Sequence, residues 1–276
     1  MKKNLISSPF LRWAGGKKWL IGFVEDLIKD KKINDYIEPF LGGGAIFFSL
    51  NGNHNSILSD INEDLITAYK IVKSNPNELL TLLLSYENTK EFYYNIRNSS
   101  PNSEIEKAAR FIYLNQTSFN GLYRVNRSGE YNVPYGNRKN VNFSREKLIN
   151  ASTTLKNAKL IQGDFTETID YIKEGDLVFL DPPYTVSHNN NGFIEYNKNL
   201  FSIEDQYRLS DFIDKIKLKG AYYILTNAAH DTIKEIFAKD DVIYELERNS
   251  LIGGKNSKRG IIKEYVFTNI TNEVSK

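Results

Sequence analysis

The run Tyr36-Ile37-Glu38-Pro39-Phe40-Leu41-Gly42-Gly43-Gly44-Ala45-Ile46-Phe47-Phe48 narrows the choice of fold more than any other stretch. A short strand pattern breaks at three consecutive glycines and resumes as an apolar helix. Such a turn lets a ligand approach bare backbone, as at the opening of a doubly wound α/β fold. A second short strand, Ile57-Leu58-Ser59, ends in Asp60 and leads into a helix over about 61–73. An acid about 20 residues after the glycines is where nucleotide-binding folds read ribose hydroxyls. The other role open to Asp60 is that of a helix N-cap.

The α/β texture resumes near Phe143. A helix is expected over 144–155, then a strand at Leu160-Ile161-Gln162 and the turn Gly163-Asp164-Phe165. Asp164 either accepts a hydrogen bond from an adenine amino group, with Phe165 packed on the ring, or caps the next helix. Strand patterns recur at 222–225, 242–244 and 264–268. Ser202 with Asp205 reads as a capping box for a helix ending at Gly220.

Asp181-Pro182-Pro183-Tyr184 follows the buried-strand run Asp176-Leu177-Val178-Phe179-Leu180. A carboxylate, two stiffening prolines and an aromatic ring thus sit at the end of a strand, where open α/β sheets keep their ligands. The N-terminal run Pro9-Phe10-Leu11-Arg12-Trp13-Ala14-Gly15-Gly16-Lys17 offers a flat ring, a close-approach turn and a point charge. It lacks the spacing of a phosphate-binding P-loop. The alternative is a turn opening the helix marked by Trp19, Leu20, Phe23, Val24, Leu27 and Ile28.

Between Asn75 and Asn142 the texture changes. Helical patterns through Tyr94 and over 105–114 give way to turn-rich, aromatic and basic sequence. Between Arg110 and Arg145 the single acid is Glu130, against Arg124, Arg127, Arg138 and Lys139. Asn-Gly, Ser-Gly and Tyr-Gly pairs suggest hairpins and loops. Basic residues interleaved with aromatics and amides suit phosphate contact, base-edge hydrogen bonding and stacking. Gly253 to Gly260 is a second basic turn, either a phosphate contact or a hairpin loop.

Composition removes other classes. Without cysteine, thiol catalysis, disulfides and cysteine-ligated zinc are excluded, and His54, His188 and His230 lack ligand-like spacing, so no metal is expected. No apolar run approaches the roughly 20 residues of a membrane span, and Met1-Lys2-Lys3-Asn4 leads into no signal-peptide core. The net charge of +2 is too small to announce a nucleic-acid partner, so its local distribution carries that inference.

Taken in order, the FxxWAGGK-like run, the EPFxGGG-like run, the basic insert and Asp181-Pro-Pro-Tyr184 resemble the Dam-type (α-group, D12 class) DNA adenine-N6 methyltransferases. The resemblance runs from Phe10 to about Asn269. It implies an α/β fold, a Rossmann-like S-adenosylmethionine-dependent methyltransferase core with an inserted, mainly helical plus β-hairpin target-recognition domain. Residues 1–75 and 143–276 would form the catalytic domain, and 76–142 the DNA target-recognition domain. The donor would be S-adenosyl-L-methionine and the acceptor a flipped adenine in double-stranded DNA. Asp181, Pro182, Pro183 and Tyr184 would be catalytic. Trp13, Ala14, Gly15, Lys17, Glu38, Phe40, Gly42, Asp60, Asp164, Phe165 and Asp181 would bind the donor. Arg12, Phe119, Asn120, Leu122, Arg124, Asn126, Arg127, Pro134, Arg138 and Lys139 would contact DNA.

The block Asn120-Gly121-Leu122-Tyr123-Arg124-Val125-Asn126, followed by Asn132-Val133-Pro134-Tyr135-Gly136, is similar to members that modify GATC in restriction-modification systems. The chain departs from the pattern at Arg12, where Dam has Lys, and at Phe119, where Tyr is common. Neither touches the catalytic assignment. Cytosine-N4 and glutamine methylation use tetrapeptides that begin with Ser or Asn, and the alternatives left are another short site or an inactive DNA-binding protein of the same fold. A cytoplasmic monomer, functionally paired with a restriction endonuclease, is the family expectation.

Overall fold

The computed structural model describes residues 7–50, 54–126, 128–185, 201–249 and 261–271. Arg127, the asparagine-rich stretch 186–198 and the basic turn 253–260 lie outside them. After a 3-10 turn at Lys17–Leu20, the chain order is α1 (Ile21–Ile28), β1 (Tyr36–Glu38), α2 (Ala45–Ser49), β2 (Ser56–Asp60), α3 (Glu63–Ser74), α4 (Pro76–Leu84), α5 (Lys90–Asn98), α6 (Glu104–Thr117) and α7 (Arg145–Leu155). Then come β3 (Ala158–Gln162), β4 (Leu177–Leu180), α8 (Ile203–Leu218), β5 (Tyr222–Ala228), α9 (Asp231–Phe237), β6 (Val242–Asn249) and β7 (Ile261–Thr268). The architecture is α/β, as expected.

Two compact units share these elements. Met1–Ile21 with Leu41–Asp164 form the first, and Gly22–Phe40 with Phe165–Lys276 the second. In the first, β2 and β3 pair in parallel, from Ser56 opposite Ala158 to Asp60 opposite Gln162. Helix α3 packs against α6 and α7 through a core that includes Leu65, Tyr69, Val72, Phe111 and Leu155. Asn62 caps α3 by accepting the Leu65 N–H at 3.1 Å, so Asp60 is not the cap. Among the described residues, antiparallel pairing in the basic insert consists of two bridges, Ser118 with Tyr135 and Val125 with Tyr131. Beside them Asn120 and Gly121 turn with positive φ, and the Ser118 and Asn126 side chains take up the Leu122 carbonyl and the Glu130 N–H.

In the second unit the strand order is β1, β4, β5, β7, β6. The first three are parallel and the last two pairings antiparallel. Every residue of β4 is buried, as its unbroken apolar run requires of a central parallel strand. Helix α8 has the capping box at Ser202 and Asp205. It ends at Gly220, φ +74°, where Gly220 N–H reaches the Lys217 carbonyl and Ala221 N–H the Ile216 carbonyl. That pair of bonds is a Schellman motif, and its left-handed residue explains the glycine. Among the described residues no helix is long and apolar enough to cross a membrane.

Asp176 ties the entry ends of β1 and β4 together. It is 1% exposed, and its two carboxylate oxygens accept the N–H groups of Asp35 (3.0 Å) and Lys173 (2.8 Å). Asp176→Ala strands both donors and should lower the unfolding free energy by about 2–4 kcal/mol. Urea titration followed by circular dichroism measures the loss.

Candidate active site

In the second unit, Glu38 ends β1, Asp181 follows β4 and Thr226 lies two residues before the end of β5, on three adjacent parallel strands. Leu180 is in register with Leu225, which brings the next residues of both strands side by side. The Thr226 hydroxyl donates to Asp181 Oδ1 at 2.8 Å. The Tyr184 hydroxyl donates to Glu264 Oε2 at 2.6 Å. Glu264 is buried on β7, and its other oxygen accepts Arg248 Nε from β6. Burial, then the charges of Asp181 and Glu264, push the Tyr184 phenol well above its ordinary pKa, so it stays protonated and donates.

Glu38 is buried as well and accepts a hydrogen bond from Tyr36 at 2.9 Å. Burial first and Glu38 second hold the Tyr36 phenol well above the normal range, with Asp181 adding to both. Behind the tetrapeptide, a buried chain of side chains fixes Thr185. Asn227 donates to Gln206 at 3.0 Å, Gln206 to Thr185 at 2.8 Å, and Thr185 to the Phe201 carbonyl at 3.0 Å. Phe165 is buried and stacks on Phe40 at 5.3 Å, with the Arg208 guanidinium 5.1 Å from its ring centre.

In the first unit the glycine turn closes on itself through Gly44 N–H to the Leu41 carbonyl at 2.7 Å. Gly42 has φ +45° and lies against the Trp13 indole, where a Cβ would come within 2.7 Å of Nε1. Asp60 Oδ2 accepts the Gly42 N–H at 2.9 Å and Oδ1 the Asn62 N–H at 3.0 Å. Burial nevertheless raises the Asp60 pKa, because desolvation outweighs those backbone donors. Lys17 is 4% exposed and donates to the Gly15 carbonyl at 3.0 Å, while Ala14 and Gly15 are exposed. Asp164 is half-buried at the end of this unit.

The end of α6 pins the N-terminal run. Asn115 accepts the Arg12 N–H at 2.8 Å and donates to the Arg12 carbonyl at 2.6 Å, and Gln116 donates to the Phe10 carbonyl at 2.9 Å. Trp13 stacks on Tyr123, with ring centres 6.1 Å apart. Arg12 packs on Gly121 and has a buried Nη1 that no acceptor meets among the described residues. Its pKa is lowered by burial and then by Arg138.

The remaining insert residues fall close together or outward. Phe119 is 52% exposed and its N–H is held by the Pro134 carbonyl at 2.9 Å. Asn120 has φ +55°. The Leu122 carbonyl accepts the Tyr131 hydroxyl at 2.7 Å. Arg124 is exposed and braced through Nε by Asn132 at 2.7 Å. Asn126 Oδ1 closes a turn by accepting the N–H groups of Ser128 and Glu130. Arg138 donates to the Gln116 carbonyl at 3.0 Å, and Lys139 is exposed. Arg127 lies outside the described residues.

Sequence reasoning missed Tyr36, Thr226, Arg248, Glu264 and Asn115. Two carried a signal. Glu264 interrupts the face that Ile262, Val266 and Thr268 share on β7, and Asn115 extends the buried run Phe111 to Leu114 on α6.

The family described as D12 class N6 adenine-specific DNA methyltransferase matches residues 13–251. The chain is 37% identical over 284 residues to the Type II methyltransferase M1.LlaDCHI of Lactococcus lactis subsp. cremoris, covering 99% of each protein. It is 41% identical over 242 residues to the Type II methyltransferase M.MjaIII of Methanocaldococcus jannaschii, covering 80% of this chain and 84% of the relative. To a DNA adenine methylase of Haemophilus influenzae it is 34% identical over 240 residues, covering 84% and 82%.

Gly42→Ala forces a side chain into a left-handed turn and against the Trp13 indole. The expected outcome is a loss of roughly 1–2 kcal/mol of stability and a changed Trp13 emission, read in a Trp19→Phe background. Gly22→Ala, whose added Cβ meets nothing within 4 Å and whose backbone is not left-handed, should leave that emission alone.

Proposed function

This chain belongs to the D12 class of N6 adenine-specific DNA methyltransferases, and we propose that it methylates the adenine of GATC in duplex DNA by extruding the base and transferring the methyl group directly. Its donor is S-adenosylmethionine, which when bound supplies an electrophilic methyl on a sulfonium. The observation that carries the catalytic assignment is the Asp181 carboxylate, held by Thr226 at 2.8 Å beside a Tyr184 whose hydroxyl is already committed to Glu264.

The chemistry asks for this arrangement. The N6 lone pair of adenine is delocalised into the ring, so the amine is a poor nucleophile. Asp181 and the Pro182 carbonyl each accept a hydrogen bond from an N6–H, which favours a tetrahedral nitrogen and localises the pair; as the N6–C bond forms the S–C bond breaks, a neutral thioether leaves, and the surplus N6 proton passes to solvent. Tyr184 stacks on the extruded base, and stacking with Watson–Crick-edge hydrogen bonds offsets an extrusion cost of a few kcal/mol. No covalent intermediate is required.

The residues fit the donor. In the first unit the Asp60 carboxylate keeps acceptor capacity beyond its bonds to Gly42 and Asn62. It suits ribose hydroxyls, Lys17 suits the methionine carboxylate, and Trp13, Ala14, Gly15 and Gly42 form a turn that admits close approach. Asp164 is assigned to the donor's adenine. In the second unit Glu38, Phe40, Phe165 and Asp181 carry donor-binding roles.

Residues 76–142 are assigned to target recognition and 1–75 with 143–276 to donor binding and chemistry. Arg124 reads a guanine bidentately, and its brace by Asn132 supports that role because it restricts the guanidinium before DNA arrives. Arg12, Asn120, Leu122, Asn126, Arg127, Pro134, Arg138 and Lys139 contact DNA, and the exposed Phe119 ring wedges into the base stack. The protein works as a cytoplasmic monomer. The Type II methyltransferase names of two relatives support pairing with a restriction endonuclease.

Expression in a methylation-deficient host followed by plasmid digestion tests the reading. Plasmid DNA should become resistant to the enzyme that cuts unmethylated GATC and sensitive to the one that cuts methylated GATC. An unchanged digest rejects GATC, and sequencing that finds no modified adenine rejects the activity. Asp181→Ala should abolish modification while circular dichroism stays that of the parent. Arg124→Ala should relax discrimination at one guanine by about 1–3 kcal/mol, measured by competition between duplexes differing at that base. A loss of affinity equal for all sequences would instead assign Arg124 to the phosphates.

A further inference from the structure

Pro182 and Pro183 have no N–H, so the backbone between Asp181 and Tyr184 offers no donor by which neighbouring strands can hold it. The attitudes of the carboxylate and the ring must therefore be set from outside the tetrapeptide. Two side chains on paired strands reach it. Thr226 on β5 lies opposite Val266, and Ala228 opposite Glu264, so Thr226 and Glu264 are diagonal neighbours on one face of the sheet. One donates to Asp181 at 2.8 Å and the other accepts from Tyr184 at 2.6 Å.

Glu264 is the more costly of the two. It is 0% exposed, and a buried carboxylate carries a desolvation penalty that an apolar residue on β7 would avoid. Arg248 on β6 offsets the charge at Oε1, and Oε2 takes the Tyr184 hydroxyl. Anchoring at Cβ and at the hydroxyl fixes the long axis of the ring, and because a phenolic O–H prefers to lie in the ring plane, the position of Glu264 also biases that plane. The same bond commits the phenol proton to Glu264, so Tyr184 serves as a platform and not as a base.

We propose that Thr226 and Glu264 are positioning residues for methyl transfer, Thr226 orienting the Asp181 carboxylate toward the acceptor amine and Glu264, backed by Arg248, locking the Tyr184 ring that receives the base. The assignment rests on the adenine-methylating role proposed for Asp181 and Tyr184.

Single-turnover transfer of a labelled methyl group to plasmid DNA tests it, alongside equilibrium affinities for donor and DNA. Thr226→Val keeps the shape and removes the hydroxyl, and should slow transfer about ten-fold, the worth of one hydrogen bond to a charged group. Both affinities should stay within about two-fold of the parent, since the interaction acts on geometry during transfer. Thr226→Ser should recover most of the rate. Glu264→Gln should slow transfer by a similar factor, yet add nothing further in a Tyr184→Phe background, where the hydroxyl it acts through is gone.

Parent rates in both Thr226→Val and Glu264→Gln overturn the proposal. So does a slow Thr226→Val that Thr226→Ser fails to rescue, or a Glu264→Gln effect undiminished by Tyr184→Phe. If the parent protein itself transfers no methyl group to any DNA, it is the functional reading that falls. If the parent is active and the variants keep pace, only the positioning roles fall.

Discussion

Glu38, Asp181 and Glu264 each accept a hydrogen bond from a hydroxyl of the same unit, from Tyr36, Thr226 and Tyr184 in turn. Carboxylates beside an apolar strand layer are stable only when their oxygens are satisfied, because an unmet charge there costs far more than the bond returns. For Glu38 and Asp181 the hydroxyls meet that need without cancelling the charge, whereas at Glu264 the Arg248 guanidinium offsets it. The two phenols are pushed to high pKa by the same surroundings and remain donors throughout the neutral range.

The strand pairing makes this possible. Glu38 and Asp181 arrive on parallel strands whose carboxyl ends coincide, and Glu264 arrives on an antiparallel strand that returns beside β5. A β7 running parallel would carry its residues past the same end in the opposite order. The reversal also sets Arg248 on β6 within reach of Glu264, so their ion pair comes from a simple antiparallel strand pair.

In the first unit a different bond does comparable work. The Asn115 amide engages both backbone polar groups of Arg12, much as a neighbouring strand would, and so ties α6 to the run that carries Trp13. Trp13 lies against Gly42 and also stacks on Tyr123, the neighbour of Arg124 in sequence. Residues assigned to the donor and to DNA are thereby braced by a single short segment. Replacing Gly42 or Gly121 with any side chain would push on that segment, at the Trp13 indole in one case and at Arg12 in the other.

Most of the secondary structure was legible from residues that act on near neighbours. The buried β4 run, the Ser202 capping box, the Gly220 stop and the glycine turn after β1 all follow from backbone preference and hydrogen bonds spanning a few positions. The strand-end placement of two motif residues was legible too: Asp60 closes β2 and Asp181 follows β4. Asn62, two positions from Asp60, took the cap that either residue type could supply, and among the described residues the insert pairs through two bridges. Which hydroxyl would meet which carboxylate was not legible at all. Thr226 is 45 positions from Asp181, Glu264 is 80 from Tyr184, and Asn115 is 103 from Arg12. Strand register and helix packing alone bring such pairs together, since a one-residue slip would turn each side chain to the opposite face.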